Sequence, residues 1–150
     1  MNPPNLLPRQ AHRLLQLGIA LLLFTSFEGF AVPYLAAPHL GRSVHTLSGL
    51  SAILMVALGL VWSRLELGVG SSRIAFWFLV YSDLATILAF VLAALWGAGN
   101  TTMPLAAGPA HGSAIQEGLI AAVIYSAAPT GIVSFGLMLW GLRHAPSVRA

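Results

Sequence analysis

The chain has 150 residues, of which 57% are hydrophobic and only 7% are charged, and it contains no cysteine. Soluble domains hold roughly a quarter charged residues, so this composition excludes a water-soluble enzyme, a nucleic-acid-binding domain and a disordered chain. A net charge of +3, from seven arginines and four acids, is too small for a phosphate-binding face. Without Cys there is no disulfide, thiolate nucleophile, Cys-bound metal or covalently attached c-type haem.

Four apolar runs follow, at about residues 14–35, 44–62, 74–96 and 118–142. Each is near the ~20 residues that cross a hydrocarbon core. They predict an all-α membrane protein, a single domain over 1–150 built as a four-helix antiparallel bundle. The first run is too long for a cleavable signal peptide and lacks a small-x-small cleavage site. Residues 36–43 and 63–73 are short links, whereas residues 97–117 form a longer Gly-, Pro- and Thr-rich connection, expected to be a mobile cap or a lid. The tails, with Pro3, Pro4, Pro8 and Pro146, are expected to fray.

Arginine placement sets the orientation. Arg9, Arg13, Arg64, Arg73, Arg143 and Arg149 fall on one side of a four-span chain, and Arg42 alone falls on the other. By the positive-inside rule both termini face the cytoplasm, which points to a bacterial-type inner membrane. Trp62, Trp96 and Trp140 close their runs, where indole rings favour the membrane interface.

Ionisable groups inside a bilayer are costly, and each is a functional candidate. Glu28 is fourteen residues into the first run, Asp83 nine residues into the third, and His45 opens the second. All three are expected between the midplane and the outer surface. Asp83 has no snorkelling route to water and must be neutral or face a polar cavity. Below His45, Gly49, Ala52, Val56 and Gly59 share a face, flanked by Ser48 and Ser51. Such a ridge lets two helices approach closely, or lets a flat cofactor lie beneath a metal-binding imidazole. In the fourth run, Ser126, Thr130 and Ser134 form a stripe past Pro129, read as packing contacts at a kink. A metal site from His39, His111 and Glu117 has no HxxxH or HExxH spacing behind it.

Several segments resemble the hydroxylaminobenzene mutases. They are His45-Thr-Leu-Ser-Gly49-Leu-Ser51, Leu58-Gly59-Leu-Val-Trp62-Ser-Arg64-Leu-Glu-Leu-Gly68, Trp96-Gly-Ala-Gly99 with the loop to Gly108, Gln116-Glu117, and Leu139-Trp140-Gly141-Leu142-Arg143. The likeness runs from about Leu14 to Arg143. It implies conversion of an aryl hydroxylamine to a 2-aminophenol without net redox change. A more distant similarity to styrene oxide isomerase implies a homotrimer holding haem b through a histidine of the second helix. His45 would then be the axial iron ligand, with Ser48, Gly49 and Ala52 against the macrocycle. Asp83 or Glu28 would stabilise positive charge or shuttle protons, and Ser51 and Thr86 would orient the polar group. Ser51 and Thr86 stand where the isomerase-like relatives carry Asn, and Phe90 where they carry Tyr.

A four-span proton-coupled exporter with an essential acid in its first helix is a rival reading, but a six-to-one arginine bias is foreign to dual-topology exporters. A haem- or quinone-binding subunit of a larger complex is another, and it predicts two axial ligands.

Overall fold

The structure, a computed structural model, describes residues 6–143. The expectations for His144, Arg149 and the outer tails lie outside the described residues, whereas Pro8 and Arg9, expected to fray, stand in the first turn of a helix, where a proline's missing N–H is tolerated. Helix α1 (Leu6–Ala31) leads through a 3₁₀ turn (Val32–Tyr34) to α2 (Pro38–Val61), and a second 3₁₀ turn (Trp62–Arg64) leads to α3 (Val69–Trp96). The short α4 (Pro104–Ala107) precedes α5 (Ala114–Gly141), and no strand occurs among the described residues. Helices α1, α2, α3 and α5 are each long and apolar enough to cross a membrane. Phe27, Phe30, Ile53, Ile132 and Leu139 point outward and are exposed. That is the inverse of a water-soluble surface, and the chain is a multi-pass membrane protein.

The helices begin earlier than the apolar runs do. Hydropathy registers where side chains leave water, whereas the polar first turns Leu6–Arg13 and Pro38–Val44 still close backbone hydrogen bonds. Pro38 occupies the first turn of α2, where its missing N–H costs nothing. His45 therefore lies two turns inside α2 instead of at its start. Asp83 sits at the middle of α3, deeper than its expected nine residues.

The bundle is two tight pairs, α1 on α2 and α3 on α5, joined along α2 and α3. Small residues make the pairs possible. A Cβ on Gly18 would lie 2.8 Å from the Ala52 carbonyl oxygen, and one on Gly59 would lie 3.1 Å from that of Ala11. In the other pair, a Cβ on Gly131 would meet the Ser82 hydroxyl at 2.6 Å, and the Ser134 hydroxyl donates to the Ala75 carbonyl at 2.7 Å. Pro129 leaves α5 unbroken.

At the arginine-rich end, Gln10 is a buried hub. Its Oε1 accepts from the Trp62 indole N–H (3.0 Å) and the Ser72 hydroxyl, while its Nε2 donates to the Ser72 carbonyl (3.3 Å). Trp62 is fully buried, edge-on to Phe76 at 6.0 Å. It is a core residue and not an interfacial anchor, because Gln10 supplies the acceptor its N–H needs. Gln10→Ala strands both donors and is expected to cost about 2–3 kcal/mol, read as an earlier midpoint in detergent unfolding.

The opposite end is closed by residues 97–117. Gly97, at φ +62°, ends α3 in the left-handed conformation. The following turns fold onto Glu117, whose Oε1 accepts from the backbone N–H groups of Gly99, Asn100 and Gly112 (2.8, 3.2 and 3.1 Å) and whose Oε2 accepts from Thr101 (3.0 Å). Ala98, Met103 and Ala107 are buried against Leu40, Ala94 and Ile120. The expected mobile cap is thus a packed one, fastened by a carboxylate.

Candidate active site

The sequence-nominated polar residues fall into two groups on different faces of α2. Ser51, Asp83 and Thr86 come together. With Ser82 they form the polar part of a cavity of about 390 Å³ between α2, α3 and α5, walled by Leu47, Leu50, Leu54, Leu79 and Phe135. The Ser51 hydroxyl is a hydrogen-bond partner of the Asp83 side chain. Asp83 Oδ2 is buried with no hydrogen-bond partner among the described residues. The Thr86 hydroxyl donates back to the Ser82 carbonyl at 2.7 Å and keeps its lone pairs available. A shallower recess of about 420 Å³, lined by Arg42, Ser43, Thr46, Leu47 and Leu50, shares two leucines with this cavity. The two recesses run from the sparsely charged end of the bundle to Asp83.

Such a space suits an apolar ring carrying one polar group. Leucine and phenylalanine hold the ring, while an acid and three hydroxyls are at hand for the substituent. A buried carboxyl oxygen without a partner costs stability, which is the usual mark of a group kept for chemistry.

His45 and Glu28 form the second group. His45 Nδ1 lies 3.3 Å from Glu28 Oε2, with the imidazole half-exposed and the carboxyl nearly buried. The contact is long for a hydrogen bond, and neither Glu28 oxygen has a hydrogen-bond partner among the described residues. His45 does not line the Asp83 cavity. His45 and Ser51 are six residues apart, which at about 100° each puts them roughly 120° apart around α2.

The ridge beneath His45 faces α1. Ser48 and Ala52 are fully buried, Ser48 accepts from the Thr25 hydroxyl at 2.8 Å, and Ala52 abuts Gly18. Within one chain, the flat surface reserved for a cofactor is covered by a helix. The close-approach use of the ridge is the one realised, because Gly18 on α1 is complementary to it.

His39, His111 and Glu117 do not assemble. No metal-binding group of three His, Cys, Asp or Glu occurs among the described residues, and the Glu117 carboxylate is saturated by backbone donors. Ser134 and Ser126 act as packing contacts, the latter paired with Tyr81 at 2.7 Å. Phe135 and Gly29 escape a reading of the sequence. Phe135 needs the α3–α5 pairing to be known, and Gly29 matters only because His45 rests on it.

A family model described as styrene oxide isomerase matches residues 10–143. The chain is 48% identical to the hydroxylaminobenzene mutase HabB of Ectopseudomonas oleovorans, over 93% of this chain and 85% of that protein. It is 31% identical to the hydroxylaminobenzene mutase HabA of the same organism, over 83% of this chain and 93% of that protein. No solved structure matches the chain. With a match across nearly the whole bundle and two mutases aligned along most of their length, the chain is an enzyme of the isomerase class and belongs to the styrene oxide isomerase family.

Proposed function

We propose that the chain rearranges hydroxylaminobenzene to 2-aminophenol in a bacterial-type inner membrane, with its arginine-rich end and both termini in the cytoplasm. The observation that carries this reading is the Asp83 cavity: one carboxyl and three hydroxyls in an otherwise leucine- and phenylalanine-lined space. The substrate and product are isomers. The N–O bond breaks, an ortho C–O bond forms, the ortho carbon gives up its proton and nitrogen gains one. No electrons enter or leave.

The residues present divide the task. Leu47, Leu54, Leu79 and Phe135 position the ring and exclude bulk water, which would capture the cationic ring at the para carbon. Asp83 faces the positive charge that develops as the N–O bond lengthens, and it moves the proton between ring carbon and nitrogen. Ser51 and Thr86 hold the NHOH group in register with Asp83.

His45 fits the ligand of a haem b. It is a half-exposed imidazole two turns inside a span, with one ring nitrogen backed by a buried carboxyl and the other left for a metal. Haem so held would supply a Lewis-acidic iron with one open coordination position. The separate faces of His45 and the cavity are the reason to place the complete site between copies of the chain, as in the homotrimer expected from the resemblance.

Purified protein in mild detergent tests this reading. The wild type is expected to convert phenylhydroxylamine to 2-aminophenol with no added reductant and to show an intense Soret band. His45→Ala, with helix content intact by circular dichroism, is expected to lose the band and about 10³-fold in kcat. Turnover by His45→Ala at the wild-type rate would sink the assignment.

A further inference from the structure

Glu28 does not line the Asp83 cavity, so it does not reach the substituent that Ser51, Asp83 and Thr86 converge on. What it does reach is His45, and three features of α1 are arranged around that ring. Glu28 Oε2 lies 3.3 Å from Nδ1. Gly29 runs under the ring edge: a Cβ there would stand 3.1 Å from Cε1 and 3.2 Å from Nδ1, tighter than side chains ordinarily pack. One turn earlier, Thr25 anchors Ser48, and Ser48 donates to the Val44 carbonyl at 2.7 Å, holding the α2 backbone on either side of His45.

We infer that Glu28 and Gly29 form a cradle that positions His45 and selects its tautomer, with Nδ1–H donating to the Glu28 carboxyl and the Nε2 lone pair left free on the exposed side of the ring. Glu28 is a positioning residue and not part of the reacting group. The physical need is clear from the surroundings. A neutral imidazole in hydrocarbon exchanges between two tautomers with its proton on either nitrogen, and only one presents the outward nitrogen as a donor to a metal. A buried carboxyl with neither oxygen hydrogen-bonded among the described residues, 3.3 Å from the ring nitrogen, favours the tautomer that brings it an N–H. The same contact raises the electron-donating power of the opposite nitrogen, as carboxylate–histidine pairs do behind metals. Glycine at 29 lets the ring sit this close, since a Cβ there would have to displace it by a few tenths of an ångström. The consequence for haem rests on the reading of His45 as its ligand; the tautomer does not.

The test has two arms. In the full-length protein with ¹⁵N-labelled histidine, produced without haem and compared with His45→Gln to assign the signal, ring-nitrogen shifts report which nitrogen carries the proton. The wild type is expected to show protonated Nδ1 at His45, and Glu28→Leu a mixture of tautomers. In protein loaded with haem, Glu28→Leu is expected to bind haem 10- to 100-fold more weakly and to show a lower iron–histidine stretching frequency in the ferrous state. Glu28→Gln, whose amide oxygen still accepts the N–H without charge, should keep the wild-type tautomer and recover part of the affinity, which a merely space-filling role would not predict. Gly29→Ala should scramble the tautomer with Glu28 in place. The inference is overturned if wild-type His45 carries its proton on Nε2, or if Glu28→Leu leaves the tautomer unchanged. Wild-type protein that binds no haem under any condition defeats the cofactor assignment instead, while the nitrogen shifts still decide the cradle.

Discussion

Asp83→Asn is expected to lower kcat for phenylhydroxylamine rearrangement by about 10²- to 10³-fold, the range in which general acid–base and charge-stabilising groups act. KM should change little, because the ring is held by leucine and phenylalanine. Asparagine preserves the size of the side chain and can still hydrogen-bond Ser51, but it cannot carry negative charge or accept a proton at neutral pH. The companion variant Asp83→Leu separates chemistry from structure. Asp83 Oδ2 is buried without a partner among the described residues, so exchanging the carboxyl for an apolar side chain should stabilise the bundle by about 1–2 kcal/mol while abolishing turnover. A raised unfolding midpoint together with lost activity is the signature of a group retained at a cost to stability. If Asp83→Asn turns over like the wild type, the cavity is not where the reaction occurs.

The largest effect on stability is expected at Glu117. Four backbone N–H groups from two separate stretches of the 97–117 connection converge on its carboxylate. Hydrogen bonds to a charged acceptor contribute about 1.5–3 kcal/mol each. Part of that is lost to solvent at this half-exposed position, since the N–H groups can rehydrate when the acceptor is removed. Glu117→Ala is therefore expected to cost about 3 kcal/mol. It should also turn residues 99–112 from a protected into a proteolytically sensitive segment. Limited proteolysis in detergent and the midpoint of thermal unfolding measure both. Glu117→Gln keeps one acceptor oxygen and should fall between. Because the knot lies away from the Asp83 cavity, residual folded Glu117→Ala protein should retain kcat near that of the wild type; a selective loss of kcat in stable protein would instead make the cap part of the catalytic apparatus.

Much of this molecule is written locally. Seven percent charged residues and four apolar runs leave no other fold class than membrane-spanning helices, because in hydrocarbon the backbone of each span must satisfy itself. The outlying ionisable residues were legible for the same reason: His45, Glu28 and Asp83 stand out against apolar surroundings whose cost for them is large. The likeness in α2 and in the closing loop was legible too, as short runs that resemble the family.

What the tertiary structure alone decided is which of these residues meet. Ser51 and Thr86 join Asp83, whereas Glu28 turns to His45, since the pairing of α1 with α2 and α3 with α5 follows from where Gly18, Gly59 and Gly131 let backbones approach. Trp62 is a buried residue because Gln10, 52 positions away, accepts its N–H. Glu117 is a structural fastener because the loop before it bends back to its carboxylate. Periodicity and hydropathy are properties of one helix at a time. A cavity, a buried acceptor and a knot of backbone donors are properties of surfaces brought together from distant parts of the chain.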